Sequence, residues 1–352
     1  TDTAGDVTYF DGAAWQRLAI GEAGEVLTMN DAGTFPSWGT TWQFQGDYNG
    51  YLMGGNTNIG PGNINYDVIE RNSFSTDTNS VDVGDLVFAR TGCIPCLKSM
   101  THGYTAGGTN NAVPPTNTYY NQIEKFQFAA SANAVDTADL TATWAYAGGH
   151  SSSLNCYMAG GAISGARTDT INKFVKATEV NATDIANLTI ATGSPFSSSS
   201  TDHGYIAGGT DQAFPSQTET IQRFTFATDT DATDVGDLNT ATWAGSSSSS
   251  LTHGYIACGY GHPAVTSDRI EKYSFASSAN ATQIGTMTVA RGNETLGGSS
   301  STTHGYAAGG VTAGASGTVS NIIDKYSFTT DGNASDVGDL TVPKTNLAGT
   351  QN

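Results

Sequence analysis

The sequence predicts an all-β fold, a six-bladed β-propeller behind a short β-rich N-terminal segment, and three observations carry that prediction. First, a segment of about 50 residues recurs six times, marked by core tyrosines Tyr51, Tyr104, Tyr157, Tyr205, Tyr255 and Tyr306 in a Gly-Tyr-x-x-Gly-Gly frame. Second, each copy holds four short strand-like stretches separated by turns rich in Gly, Asn, Asp and Ser. Third, only 13% of residues are charged while Gly alone supplies 43, a composition suited to tight corners rather than helices. A blade cannot bury both of its faces alone, so the copies form one body at 42–352, and residues 1–41 stand apart.

The copy around Tyr255 shows the elements in order. Its first strand, SSSSS (246–250), matches runs of small residues at 151–153, 197–200 and 299–301. Small side chains fit where six strands converge on a common axis. The second strand, HGYIACG (253–259), ends in other copies with Gly-Gly, as at Gly54-Gly55 and Gly107-Gly108. Paired glycines permit a close approach and a sharp exit. No helix-forming run and no Lys-Ser/Thr follow them, which excludes a phosphate loop.

The third strand reads Ile-x-basic-aromatic-x-aromatic, as in Ile123, Lys125, Phe126 and Phe128. The aromatic pair lies two apart, on one face, and is expected to pack on a neighbouring blade. The basic place is filled in every copy: Arg71, Lys125, Lys173, Arg223, Lys272 and Lys325. Each head is expected to pair with an acid opening the fourth strand, such as Asp82, Asp136, Asp184, Asp234 or Asp336; Gln283 leaves one copy without such a pair. The Asn/Asp-rich stretch before that strand (181–188, 232–238, 334–340) reads as side chains capping their own turn rather than as a calcium loop. The C-terminal residues 345–352 align with the start of a blade and are expected to supply the first strand beside the core at Tyr51; residues 41–48 are the alternative source.

The order of elements resembles the kelch repeat: Gly-Gly closing the second strand, an aromatic in the third, and a Leu-x-x-x-Arg stretch (Leu86–Arg90) after the fourth. The kelch tryptophan is replaced by Val83, Ile185, Val235 and Val337, so the likeness is to a divergent branch. The wording HGYxAGG…IxKFxF…NATDVGDLT resembles repeats in structural proteins of marine bacteriophages, including those of cyanobacteria. Residues 5–39, with Gly5-Asp6, Tyr9, Gly12, Trp15, Leu18, Gly21, Gly24, Val26-Leu27, Gly33, Pro36 and Trp38, resemble a module of phage tail-fibre proteins. The resemblance implies a virion protein, a tail fibre or tail-associated adhesin. It would attach to other virion proteins through 1–41, often as a homotrimer, and carry a distal domain that meets a host-surface glycan or protein.

A net charge of -18 argues against nucleic acid and anionic membranes as partners. No apolar run approaches the length of a membrane-spanning helix, and TDTAGDVTYF lacks the features of a signal peptide. Cys156 and Cys258 read as small core residues, and Cys93-Ile-Pro-Cys96 as structural or a local disulfide. Four of the six histidines, His102, His203, His253 and His304, hold one phase in four copies, which suits a turn role and not one metal ion. No catalytic residues, metal or cofactor are expected, so the chain does not read as an enzyme.

Binding is expected on the face shared by the loops after Gly-Gly and the fourth-to-first-strand connections, where the copies differ most. The candidate ligand-binding residues are Tyr66, Tyr119, Tyr120, Trp144, Arg167, Phe214, Tyr260 and His262. Arg90, Tyr146, Phe196, Trp243, Arg291 and Lys344 are expected on the same face. A capsid, neck or tail decoration without receptor contact is the alternative role, and a glycan-active enzyme a minor one.

Overall fold

The computed structural model describes residues 4–20, 26–29, 36–39, 42–57, 63–110, 118–211, 216–261, 265–292, 297–312 and 317–352. It is all-β, with antiparallel sheets and no helix among the described residues. Two compact units divide after Gln43. In the smaller, Val7–Phe10 pairs with Trp15–Leu18, and Val26–Met29 with Pro36–Gly39. Asp11 Oδ1 closes the first hairpin by accepting from the backbone of Ala13 and Ala14, both at 2.8 Å. Phe10 and Trp15 pack on each other at 5.8 Å yet remain 55% and 74% exposed.

The larger unit holds six four-stranded antiparallel arrangements, numbered here in chain order. In sheet 1 the C-terminal Ala348–Gln351 pairs with Asn49–Met53, followed by Val68–Ser73 and Val81–Asp85. The tail thus supplies the first strand beside Tyr51, as its alignment indicates. Sheets 2, 3, 4 and 6 open on Ile94–Lys98, Gly148–Ser151, Phe196–Ser199 and Gly297–Ser300. Sheet 5 opens on Ser246–Ser249, and its last two strands lengthen to Val265–Ser274 and Thr282–Gly292.

The first strands adjoin one another in the order of sheets 1 to 6, and that of sheet 6 adjoins that of sheet 1. Each has a free edge, and the serines serve it. Ser247 and Ser249 Oγ accept from the backbone N of Ser197 and Ser199 at 2.9 and 3.0 Å. Ser300 Oγ accepts from Ser249 N, and Ser151 Oγ from Lys98 N, each at 2.9 Å. The serine runs are therefore edge-satisfying donors and acceptors as well as small residues.

Two further contacts join each sheet to the next, and a third joins four of the six neighbouring pairs. The core tyrosine of one sheet lies on the third-strand aromatics of its neighbour: Tyr157 stacks on Phe226 at 4.7 Å, Tyr205 on Phe275 at 4.6 Å and Tyr255 on Phe328 at 4.5 Å. Tyr306 of sheet 6 stacks on Phe74 of sheet 1 at 4.7 Å. Tyr51 and Tyr157 hydroxyls donate to the carbonyls of Phe128 and Phe226 at 3.1 and 3.2 Å.

The second contact is a two-bond clamp that corrects the expectation of self-capping turns. Asn181 Oδ1 accepts from Asp139 N at 3.0 Å, and Ala182 N donates to Asp139 O at 2.8 Å. Asn133-Ala134 holds Asp85, Asp231-Ala232 holds Asn187, Asn280-Ala281 holds Asp237 and Asn333-Ala334 holds Thr286 in the same way. Asn79-Ser80 of sheet 1 holds Asp339 of sheet 6. The Asn-Ala dipeptide is thus repeated because it grips the preceding sheet. Among the described residues, the aspartates two before a glycine, Asp82, Asp234 and Asp336, do cap their own strand, each accepting at 3.1 Å.

The third contact corrects the basic residues' partners. Lys125 Nζ meets Glu179 at 2.6 Å, Lys173 meets Asp229 at 2.6 Å, Lys272 meets Asp331 at 2.6 Å and Lys325 meets Asp77 at 2.6 Å. Each acid lies in the third-to-fourth-strand turn of the next sheet, not at the start of the fourth strand. Lys272 is therefore paired although Gln283 stands at the expected place. Arg71 and Arg223 make no ion pair among the described residues.

The segment Phe44–Gly46 runs against four of the first strands. Gln351 Nε2 donates to Phe44 O at 2.7 Å, Gln45 Nε2 to Ser249 O at 2.8 Å, and Gly46 N to Ser300 O at 2.8 Å. Lys98 Nζ lies 3.4 and 3.3 Å from the carbonyls of Phe44 and Gln45. Burial, with Lys176 nearby, pulls the Lys98 amine down to about 7. All four cysteines are free and buried, so no disulfide joins Cys93 and Cys96. Burial pushes the Cys96 thiol up to about 12 and Cys258 up to about 11.

Candidate ligand-binding face

Gly-Gly sets up this face. Gly107 and Gly108 adopt φ of 58° and 97°, and a Cβ on Gly107 would fall 2.1 Å from the Trp144 carbonyl. The chain therefore leaves the second strand pressed on the following connection at Gly107 and on the preceding one at Gly108, where a Cβ would fall 2.9 Å from the Thr91 carbonyl. Thr109 bridges Thr91, Asn56 bridges Thr345, Thr210 bridges Gly193, and Tyr260–Gly261 pairs with Thr242–Trp243. The connections are themselves tied together. Gly92 N donates to Asn346 O, Tyr146 N to Gly92 O, Ser194 N to Tyr146 O and Ala244 N to Ser194 O, at 2.9–3.1 Å. Those five residues all have left-handed φ, between 49° and 62°, a conformation costing a non-glycine residue roughly 1 kcal/mol.

The structure removes several residues from the expected binding set. Trp144 is 0% exposed, and its Nε1 donates to Gly160 O at 2.6 Å. It is a wedge between sheets and not a ligand platform. Phe196 is buried as well. Arg90, Arg291 and Lys344 are fully buried ion-pair partners of Glu124 (2.9 Å), Asp324 (2.7 Å) and Glu70 of the following sheet. Burial alone would raise the Glu70 carboxyl, but Lys344, with Ser80 and Thr341, holds it below its ordinary value. Phe214 and His262 lie outside the described residues.

Four candidates are spread over the loops of sheets 1 to 3. Tyr66, half-buried, covers the Lys344 ammonium at 5.5 Å. Tyr120, also half-buried, stacks on Phe88 at 5.3 Å and 16°, with the Arg90 guanidinium 5.8 Å from its ring. Tyr119 is half-buried and reaches toward Gly165 of sheet 3. Arg167 lies across Gly193 of the next connection, its Nε donating to Thr210 Oγ1 at 2.9 Å. Tyr260 sits elsewhere, against Trp243 at 5.4 Å and over Gly292. Phe88, 40% exposed, is the residue that sequence reasoning missed. Its signal was available: where Phe88 stands, the aligned copies have Ala142, Ile190, Thr240, Val289 and Val342.

The histidines show no convergence. Nδ1 of His102, His253 and His304 lies 2.8–2.9 Å from the hydroxyl of the preceding threonine. Among the described residues no group of three His, Cys, Asp or Glu could hold a metal ion. His150 is fully buried, its Nδ1 3.0 Å from Ser198 O, and burial pulls it down to about 3.

No family model and no curated protein matches this chain. Among the solved structures that resemble it is one described as "Structure of YjhT", with a TM-score of 0.59 and 10% identity, covering 81% of this chain and 97% of its own. At that identity the likeness is one of fold.

Proposed function

We propose that the six sheets are the blades of a closed, six-bladed kelch-like β-propeller belonging to a phage virion protein. In this reading the chain is a tail fibre or tail-associated adhesin, and its loop face meets a receptor on the host surface. Closure is supported by the clamp of Asn79-Ser80 on Asp339, the Lys325–Asp77 pair and the Tyr306–Phe74 stack, which all run from sheet 6 to sheet 1. The receptor reading is carried by the stacked pair Phe88 and Tyr120, with half-exposed Tyr66 and Tyr119 on the loops after Gly-Gly, all held by repeated backbone bonds. Flat rings of this kind stack on sugars. Attachment through residues 1–41, as a homotrimer, accounts for exposed Phe10 and Trp15 in a unit of two short hairpins, which buries too little by itself. The virion assignment rests on the resemblance of residues 5–39 to tail-fibre modules.

Particles carrying Phe88→Ala, Tyr119→Ala and Tyr120→Ala test it. Assembly should be intact and host adsorption reduced. Unchanged adsorption by intact particles would favour a capsid, neck or tail decoration instead.

A further inference from the structure

Six equivalent places lie between neighbouring sheets, each with a third-strand base on one side and a turn of the next sheet on the other. In four the base is lysine and the turn supplies a carboxylate two residues before the clamp residue: Glu179 before Asn181, Asp229 before Asp231, Asp331 before Asn333, Asp77 before Asn79. In the other two both sides change together. The base is Arg71 or Arg223, and the acid's place holds Ser131 or Ser278. The turn is held in the same register there. Asn133-Ala134 grips Asp85 at 3.1 and 2.7 Å, and Asn280-Ala281 grips Asp237 at 3.1 and 2.7 Å.

Only the carboxylate is missing. The neighbouring Tyr51 and Tyr205 hydroxyls donate to the carbonyls of Phe128 and Phe275 at 3.1 and 3.3 Å. A guanidinium has five N–H donors in a fork that matches a carboxylate, so donors remain. Ser131 and Ser278 are exposed and add a hydroxyl donor. The net charge of -18 does not forbid an anion at these places, since four carboxylates settle at their equivalents in the same field.

We propose that Arg71 with Ser131, and Arg223 with Ser278, form two equivalent sites for a carboxylate borne by an external organic acid, at the turn end of the large unit. These places lie at the other end from the loop face and stand independently of the receptor reading above. Sodium glucuronate titrated into the purified chain at low salt, followed by NMR of the arginine side chains, should show saturable binding at two sites. Affinity should fall by at least about tenfold at each site in Arg71→Gln and Arg223→Gln, the size of one lost charged hydrogen bond. Ser131→Asp and Ser278→Asp should abolish binding while keeping or raising the melting temperature, because each supplies the missing internal acid. Glu179→Gln should open a third site at Lys125. Absence of saturable binding, or binding unchanged in the Ser→Asp pair, overturns the site. Acetate and an aspartyl peptide should compete with glucuronate at the same two sites; failure of both to compete overturns a carboxylate site.

Discussion

The end of the large unit that carries the third-to-fourth-strand turns and the end that carries the loops after Gly-Gly follow opposite rules. At the first, every copy repeats the same clamp, from Asn79-Ser80 to Asn333-Ala334. At the second, the backbone bonds repeat but the side chains do not: Gly92, Tyr146, Ser194, Ala244 and Asn346 occupy one phase. Stability is thus written once per copy at one end, while the other end is free to differ. Between the two lie the buried ion pairs, present at only some interfaces.

The comparison breaks first if the buried pairs are no more costly to disturb than the exposed ones. Arg291→Leu leaves Asp324 buried and uncompensated, and should lower stability by about 3–5 kcal/mol in urea titration. A loss below 1 kcal/mol would show that water reaches Asp324. Next is His150. Its folded value near 3 lies below its ordinary 6.5, so between those limits the unfolded chain takes a proton that the folded chain refuses. Stability is therefore lost as pH falls through that window, by on the order of 4 kcal/mol at its lower end. His150→Phe should flatten the urea midpoint against pH relative to the parent chain; parallel profiles would remove His150 from the acid response.

Smaller effects separate the two ends themselves. Asn181→Ala removes one clamp acceptor and should cost about 0.5–1.5 kcal/mol. Lys173→Met breaks a pair whose acid is half-exposed, and should cost roughly 0.2–1 kcal/mol, an effect that fades in high salt. Arg167→Ala on the loop face should stay within about 0.5 kcal/mol in thermal melts. An Arg167 effect larger than that of Asn181 would reverse the assignment of scaffold and variable ends.

The strands, their order and the supply of the first strand by residues 348–351 were legible because each phase of the repeat is filled six times over. The direction of the contacts was not. Lys125 and Glu179 are 54 residues apart, and nothing within one copy tells a base whether its acid lies in its own sheet or the next. The candidate face suffered most. Arg90, Arg291 and Lys344 follow the fourth strand and look like loop residues, yet they turn inward to Glu124, Asp324 and Glu70. Comparing copies held the clue: where the third strand has Asn172 or Gln222 in place of the acid, the preceding connection has Trp144 or Thr192 in place of the base. Glu271, whose aligned partner place holds Thr242, breaks that rule and would have weakened it.

The segment Phe44–Gly46 gives the large unit a particular way of being held. Its bonds reach Gln351, Lys98, Ser249 and Ser300, on the first strands of sheets 1, 2, 5 and 6. A pull on residue 44 therefore never falls on one strand pair to be unzipped. It is divided at entry among four sheets, each already gripped by its neighbours, so tension is met as shear across many short bonds.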